Sequence, residues 1–321
     1  MAIDSKPDVP RPPTAPAGIA ADRTAWREIL ADVAVVTVTP FRGDRLELID
    51  HDGMARNIQH LLRGGVRLVV AGGNTGEFAA LSRTEVVETV LTHVRAATGR
   101  ARVLAGVGYR LERTIELGRA SMQAGAHGLM IHHPIHPYAG EAGLVAYYES
   151  IAAALPGVPL VLYVRGPQLT PDGVRRLSAV DSIVGVKMGQ PDPARFAALT
   201  AAAPEMAWVC GVAEAWAVPF WAEGAIGFTS GLANIAPKRS MDVLAALKAG
   251  ELRRADALID RLRPFEELRA GHGDANNVAV IKAALDRIGL AGGELRPPLS
   301  RLDAADAASL ERILSEIGVI S

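Results

Sequence analysis

The chain has 321 residues, 49 % of them hydrophobic, enough for one large core or for a large domain with a small appendage. A formal charge of −1 implies no basic face, which argues against nucleic acid and anionic membranes as partners. A single cysteine, Cys210, excludes an internal disulfide framework and fits a reducing cytoplasm, and no apolar run reaches the roughly 18–20 residues that span a bilayer.

The first twenty residues are rich in Pro and Ala and lack the basic start and apolar middle of a signal peptide. Residues 1–25 are therefore expected to form a loosely ordered arm. From about residue 33 short apolar, β-branched runs alternate with amphipathic stretches of helical length. Strands are predicted at 33–38, 66–72, 102–108, 128–133, 158–164, 182–187, 206–211 and 225–230. Their nearly continuous hydrophobicity is that of parallel strands buried on both faces. Helices are predicted at 49–64, 83–98, 111–125, 140–155, 171–179, 192–203, 213–223 and 237–249. "SRTE" (82–85) reads as a capping box, and "TPD" (170–172) puts Pro just inside a helix start. Eight strand–helix units predict an α/β fold, a (β/α)8 TIM barrel over 26–250. Helical patterns near 251–270, 275–290 and 303–317 predict a C-terminal helical extension over 251–321.

In such a barrel, chemistry is carried at the C-terminal ends of the strands. Strand six ends at Lys187, one of only five lysines against twenty-nine arginines. Desolvation there disfavours the ammonium form and leaves an amine able to attack a carbonyl, which arginine cannot do. The product is a Schiff base, an electron sink for the adjacent carbon. A lysine paired with a carboxylate would be the plainer reading. "AGGNTGEF" (71–78) follows strand two. Its glycines allow close backbone approach, its N–H groups can cradle a small carboxylate or phosphate, and Thr75 adds a hydroxyl; a tight strand-to-helix turn would read the same way. Tyr163 closes strand five, one step round the barrel from Lys187, and can shuttle protons; a packed core tyrosine is the alternative.

Taken together these segments resemble the dihydrodipicolinate synthase / N-acetylneuraminate lyase family of class I aldolases. The likeness covers about residues 33–290 and rests on "TVTPF" (37–41), "GGNTGEFAALSRTE" (72–85), "VLAGVG" (103–108), "AGAHGLMI" (124–131), "VLYV" (161–164), "IVGVK" (183–187) and "GFTSGLANIAP" (227–237). It implies a barrel with a helical tail, a homo-oligomer (tetramer or dimer), and a small 2-oxo acid substrate such as pyruvate or a sugar acid. It implies no metal and no dissociable cofactor, only a covalent Schiff base. The family's Schiff-base lysine falls on Lys187, its tyrosine on Tyr163, and its carboxylate loop on Thr75, Gly76 and Glu77. Ser230 and Asn234 fall where the family closes the pocket floor, with a structural role the equal alternative.

Departures from the family pattern bear on the substrate. Asn74 stands where true dihydrodipicolinate synthases carry a relay hydroxyl, Ile135 and His136 replace two tyrosines, and Arg165 lies only two residues beyond Tyr163. "YVR" with "LAGVGY" (104–109) is more similar to the 5-dehydro-4-deoxyglucarate dehydratase branch. The expected function is a Schiff-base lyase that is not itself a dihydrodipicolinate synthase, with Asn74, His136 and Arg165 facing the distal end of the substrate. The alternatives are a dehydratase of that branch, or a catalytically silent barrel that binds a 2-oxo acid.

His132, His133 and His136 invite a zinc reading. Adjacent strand residues point to opposite faces, however, so His132 and His133 are poorly placed to share one ion. His136 is expected to reach substrate, with one of the other two packed. Cys210 reads as a small buried hydrophobe. "HGDANN" (272–277) is expected to cap a helix through Asn276 or Asp274.

Overall fold

The computed structural model describes residues 21–42, 46 and 48–320. Eight parallel strands close into a barrel in the spatial order β1-β10-β9-β8-β7-β6-β5-β4. They are β1 (Val33–Val36), β4 (Leu68–Ala71), β5 (Arg102–Gly108), β6 (Gly128–His132), β7 (Leu160–Val164), β8 (Ile183–Met188), β9 (Ala207–Cys210) and β10 (Gly227–Ser230). β2 (Phe41–Arg42) and β3 (Leu48–Ile49) pair antiparallel beside it. Each barrel strand is followed by helix: α2 (His51–Arg63), α3 (Arg83–Ala97), α4 (Leu111–Gln123), α5 (Glu141–Ala154), α6 (Pro171–Ser178), α7 (Pro193–Ala202), α8 (Ala217–Ala222) and α9 (Pro237–Lys248). The capping box forms, with Ser82 and Glu85 each satisfying the other's backbone N–H at the start of α3. Thr170 caps α6 through the N–H of Gly173, with Pro171 at its first position.

Two apolar layers follow from the strand alternation. One, including Val35, Val69, Val103, Ile131, Leu162 and Val186, packs between the strands and the outer helices. The other fills the barrel interior, with Val36, Val70, Leu104, Met130, Val161 and Val209, and ends at Tyr163. Its opposite end is closed by a helix that the sequence reading assigned in part to the arm. α1 (Arg23–Leu30) buries Trp26 and Leu30 in that interior cluster. The Trp26 ring lies against Gly128 at the start of β6, where a Cβ would meet it at 2.8 Å. Arg23 donates to the carbonyls of Val180 and Ile183, and Arg27 to that of Met206, which fixes the plug beneath β8 and β9. The arm boundary at residue 25 is thus corrected to the start of α1, because a two-turn amphipathic helix carrying Trp26 and Leu30 is apolar enough to be captured. Residues 1–20 of the expected arm lie outside the described residues.

After Gly250 the chain forms α10 (Leu252–Asp274), α11 (Asn277–Arg287) and α12 (Ala304–Glu316). α10 packs along α9, and its Arg269 lies against Gly231, just past the end of β10. That contact brings the α10–α11 junction to the end of the barrel where the strands terminate.

Candidate active site

The turn after β4 is built by close approach. A Cβ on Gly76 would come within 2.9 Å of the Thr37 carbonyl oxygen, and one on Gly73 within 2.3 Å of Val36. The N–H groups of Gly76 and Phe78 donate to the Gly73 carbonyl, and that of Glu77 to the Asn74 carbonyl. Thr39 Oγ1 donates to the Gly76 carbonyl at 2.8 Å. The N–H groups of Asn74 and Thr75 have no acceptor among the described residues. Thr75 is buried, and Asn74 is exposed beside it. Two adjacent donors with no protein acceptor make a seat for a small carboxylate.

β7 and β8 bring Tyr163 and Lys187 side by side as register partners. Each is 7 % exposed, and the Lys187 Nζ lies 4.2 Å from the centre of the Tyr163 ring. The glycines that follow make the space. A Cβ on Gly189 would lie 2.4 Å from the Tyr163 ring, and one on Gly211 2.8 Å from Lys187 Cγ. Burial lowers the Lys187 ammonium to about 7, and the Arg165 charge adds to the lowering. Burial raises the Tyr163 phenol, while Arg165 and a hydrogen bond with the Asn74 side chain act against that rise. Neutral amine, phenol and paired N–H donors therefore gather at one end of the barrel, a set able to add an amine to a carbonyl and hold the neighbouring carboxylate.

An aromatic wall flanks them. His132 stacks on Phe78 at 4.4 Å and lies 6.1 Å from Tyr163, and Tyr109 meets both Phe78 and His132. Burial holds His132 neutral, lowered to about 4, and its Nε2 pairs with the Gly72 carbonyl at 3.0 Å. It is the packed histidine of the three. Tyr109 takes a positive φ of 77° directly after β5, a strained conformation for a non-glycine residue. Arg165 is exposed; its charge acts on Lys187, Tyr163, Tyr109 and His133 alike. From the C-terminal extension, the charge of Asp274 also acts on Tyr163. Tyr109 and Asp274 were not singled out as site residues in the sequence. An aromatic residue directly after "GVG" was the available signal for the first; nothing local announces the second, which tertiary packing delivers.

Three further residues singled out in the sequence have defined surroundings. Ser230 does not face the pocket. It continues the outward alternation of Phe228, and its hydroxyl donates to buried Glu214, meets Ser240 and accepts the N–H of Ala233. His136 lies on an exposed loop and accepts the Tyr138 N–H; no hydrogen bond or ring contact joins it to Lys187, Tyr163 or Arg165. Asn276 occupies the N-cap position of α11, yet its side chain donates to Asp306 of α12 instead of capping.

Comparison with known proteins bears on the family and the fold. The model of the dihydrodipicolinate synthetase family matches residues 30–317. The 4-hydroxy-tetrahydrodipicolinate synthase of Methanoculleus marisnigri is 33% identical over 287 residues, 88% of this chain and 97% of that enzyme. The dihydrodipicolinate synthase structure from Oceanobacillus iheyensis superposes with a TM-score of 0.88 at 37% identity, over 92% of this chain and 98% of that one. The Acinetobacter baumannii dihydrodipicolinate synthase, solved in complex with pyruvate, gives 0.82 at 28% identity, over 90% and 99% of the two chains. With a match across nearly its whole length, the chain belongs to the dihydrodipicolinate synthetase family and is a lyase of the class I aldolase type.

Proposed function

We propose that the protein acts on a 2-oxo acid or sugar acid through a Schiff base on Lys187. The observation that carries this reading is the buried Lys187 amine, lowered to about 7, set against Tyr163 beside the Asn74–Thr75 donors. The substrate carboxylate docks on the N–H groups of Asn74 and Thr75. The Lys187 lone pair attacks C2, the carbonyl π electrons move to oxygen, and the carbinolamine loses that oxygen as water to leave the iminium. Tyr163 returns the proton needed for water to leave and takes one at the reacting carbon. The resulting enamine supports either carbon–carbon bond making and breaking or loss of a β-hydroxyl. Neither metal nor dissociable cofactor enters these steps.

Asn74 favours a reaction other than that of a true dihydrodipicolinate synthase. Its amide acts on the Tyr163 phenol but cannot pass a proton on as a hydroxyl does. Arg165 and Tyr109, which share the same end of the pocket, support a decarboxylating dehydratase of the 5-dehydro-4-deoxyglucarate type as the second reading. The large apolar side chains of Ile135 and Tyr138, 77% and 88% exposed on the loop after β6, support association of copies into a dimer or tetramer. The single, buried cysteine suits a cytoplasmic enzyme.

Borohydride treatment in the presence of a panel of 2-oxo acids and sugar acids tests the chemistry. A stable mass increment on the peptide carrying Lys187 is expected. No adduct with any member of the panel, or full turnover in Lys187→Ala, overturns it.

A further inference from the structure

The chain buries a second lysine, Lys282, with 2% of its side chain exposed, on α11 of the C-terminal extension. Its ammonium pairs with the carboxylate of Glu77, whose own side chain is 1% exposed. Glu77 is the residue that ends the donor turn, and it does so in the left-handed region, with φ 58° and ψ 38°. That conformation is unfavourable for a residue with a Cβ and persists only where the surroundings hold it.

The surroundings here come from the extension. Lys282 donates to the Glu294 carbonyl at 2.5 Å and lies 4.5 Å from the centre of the Phe41 ring. The Arg296 N–H donates to the other oxygen of Glu77 at 3.0 Å. The Arg296 guanidinium in turn grips Glu85 on α3 and the Ala80 carbonyl, and sits 3.9 Å from the same Phe41 ring. The back of the turn is thus held from a part of the sequence some two hundred residues away, while its front presents the Asn74 and Thr75 N–H groups.

Charge gives this arrangement a consequence for binding. The Glu77 carboxylate is two residues from Thr75, in a region where water screens little. Left alone, it would oppose a second carboxylate arriving at the donors. A compact ammonium cancels it from behind without entering the pocket.

We propose that Lys282 is a positioning residue for the reaction: it neutralises Glu77 and fixes the 74–77 turn, so that an anionic 2-oxo acid is bound there. This rests on the Schiff-base reading of Lys187. The test measures reductive trapping by cyanoborohydride as a function of ligand concentration, with pyruvate and with the neutral ketone hydroxyacetone. In Lys282→Met, with folding checked by circular dichroism and melting, the half-saturating pyruvate concentration should rise tenfold or more. That for hydroxyacetone should change less than threefold, and the pH midpoint of trapping, which reports Lys187, should stay in place. Lys282→Gln, which keeps a donor for Glu77 but no charge, gives the same comparison if the Met variant does not fold. Unchanged pyruvate saturation, or equal losses for the charged and the neutral ligand, overturns the proposal. Failure of the wild type to trap either ligand or any other 2-oxo acid or sugar acid of the panel instead overturns the Schiff-base reading itself.

Discussion

Lys187 and Tyr163 are register partners on adjacent parallel strands, and the lysine nitrogen faces the tyrosine ring at 4.2 Å instead of hydrogen-bonding to its hydroxyl. The ring face favours the cation, but burial opposes it more strongly and brings the ammonium down to about 7. Reductive trapping requires the neutral amine. Its rate should therefore climb about tenfold per pH unit below the midpoint, near pH 7, and level off above it. A midpoint near that of an ordinary lysine would contradict this account.

Arg165 is the second contributor to that lowering. In Arg165→Leu the trapping midpoint should move upward, since one opposing charge is removed while burial remains. Turnover of a substrate with a distal acid group should also fall, by roughly 1.5–3 kcal/mol in kcat/KM if a charge-assisted hydrogen bond is lost. A pH-rate profile superimposable on the wild type would show that the guanidinium does not act on Lys187.

Ser230 and Glu214 belong to the seam between the barrel and α9, not to the pocket. Ser230→Ala should cost about 1–3 kcal/mol in stability, since it leaves a buried carboxyl short of a donor. The half-saturating ligand concentration should remain within twofold. A large rise in that concentration with stability unchanged would return Ser230 to the binding site.

Burial and the nearby Glu266 charge raise Glu214 to about 7, above its unfolded value. Between about pH 4.5 and 7 the folded state therefore holds more protons than the unfolded one. The contribution is full below that window and is lost as pH rises through it. Urea titrations at several pH values should find Glu214→Gln losing less stability across this interval than the wild type does.

Trp26 closes the end of the barrel opposite Lys187. Trp26→Ala should cost about 3–5 kcal/mol, measured by denaturant titration, because a rigid barrel floor cannot collapse onto the space left. A loss below about 1 kcal/mol would mean that the plug is not part of the cooperative core.

Much of this was legible along the chain. Strand five of the sequence reading gave the tyrosine and strand six the lysine, because continuous apolar runs fix both the strand and its end. The predicted 102–108 coincides with Arg102–Gly108. The capping box at Ser82 and the Pro171 start are local chemistry and were readable for that reason. α1 was not, since its single buried face is short and follows a Pro-rich segment. Ser230 stayed open between the pocket and a structural role because a strand's last residue points inward or outward by a single step of alternation, and sequence alone does not say which.

By itself, then, the sequence determined the alternation of elements, the barrel they imply, and a lysine and tyrosine on neighbouring strand ends. These follow from period, propensity and strand order. The tertiary structure decided what surrounds them: Glu77 held by Lys282 and Arg296 from the far end of the chain, Asp274 acting on Tyr163, and Ser230 turned towards Glu214. The physical reason is that burial, charge neutralisation and backbone strain depend on what lies across the core, and residues hundreds of positions apart meet only after the barrel has closed.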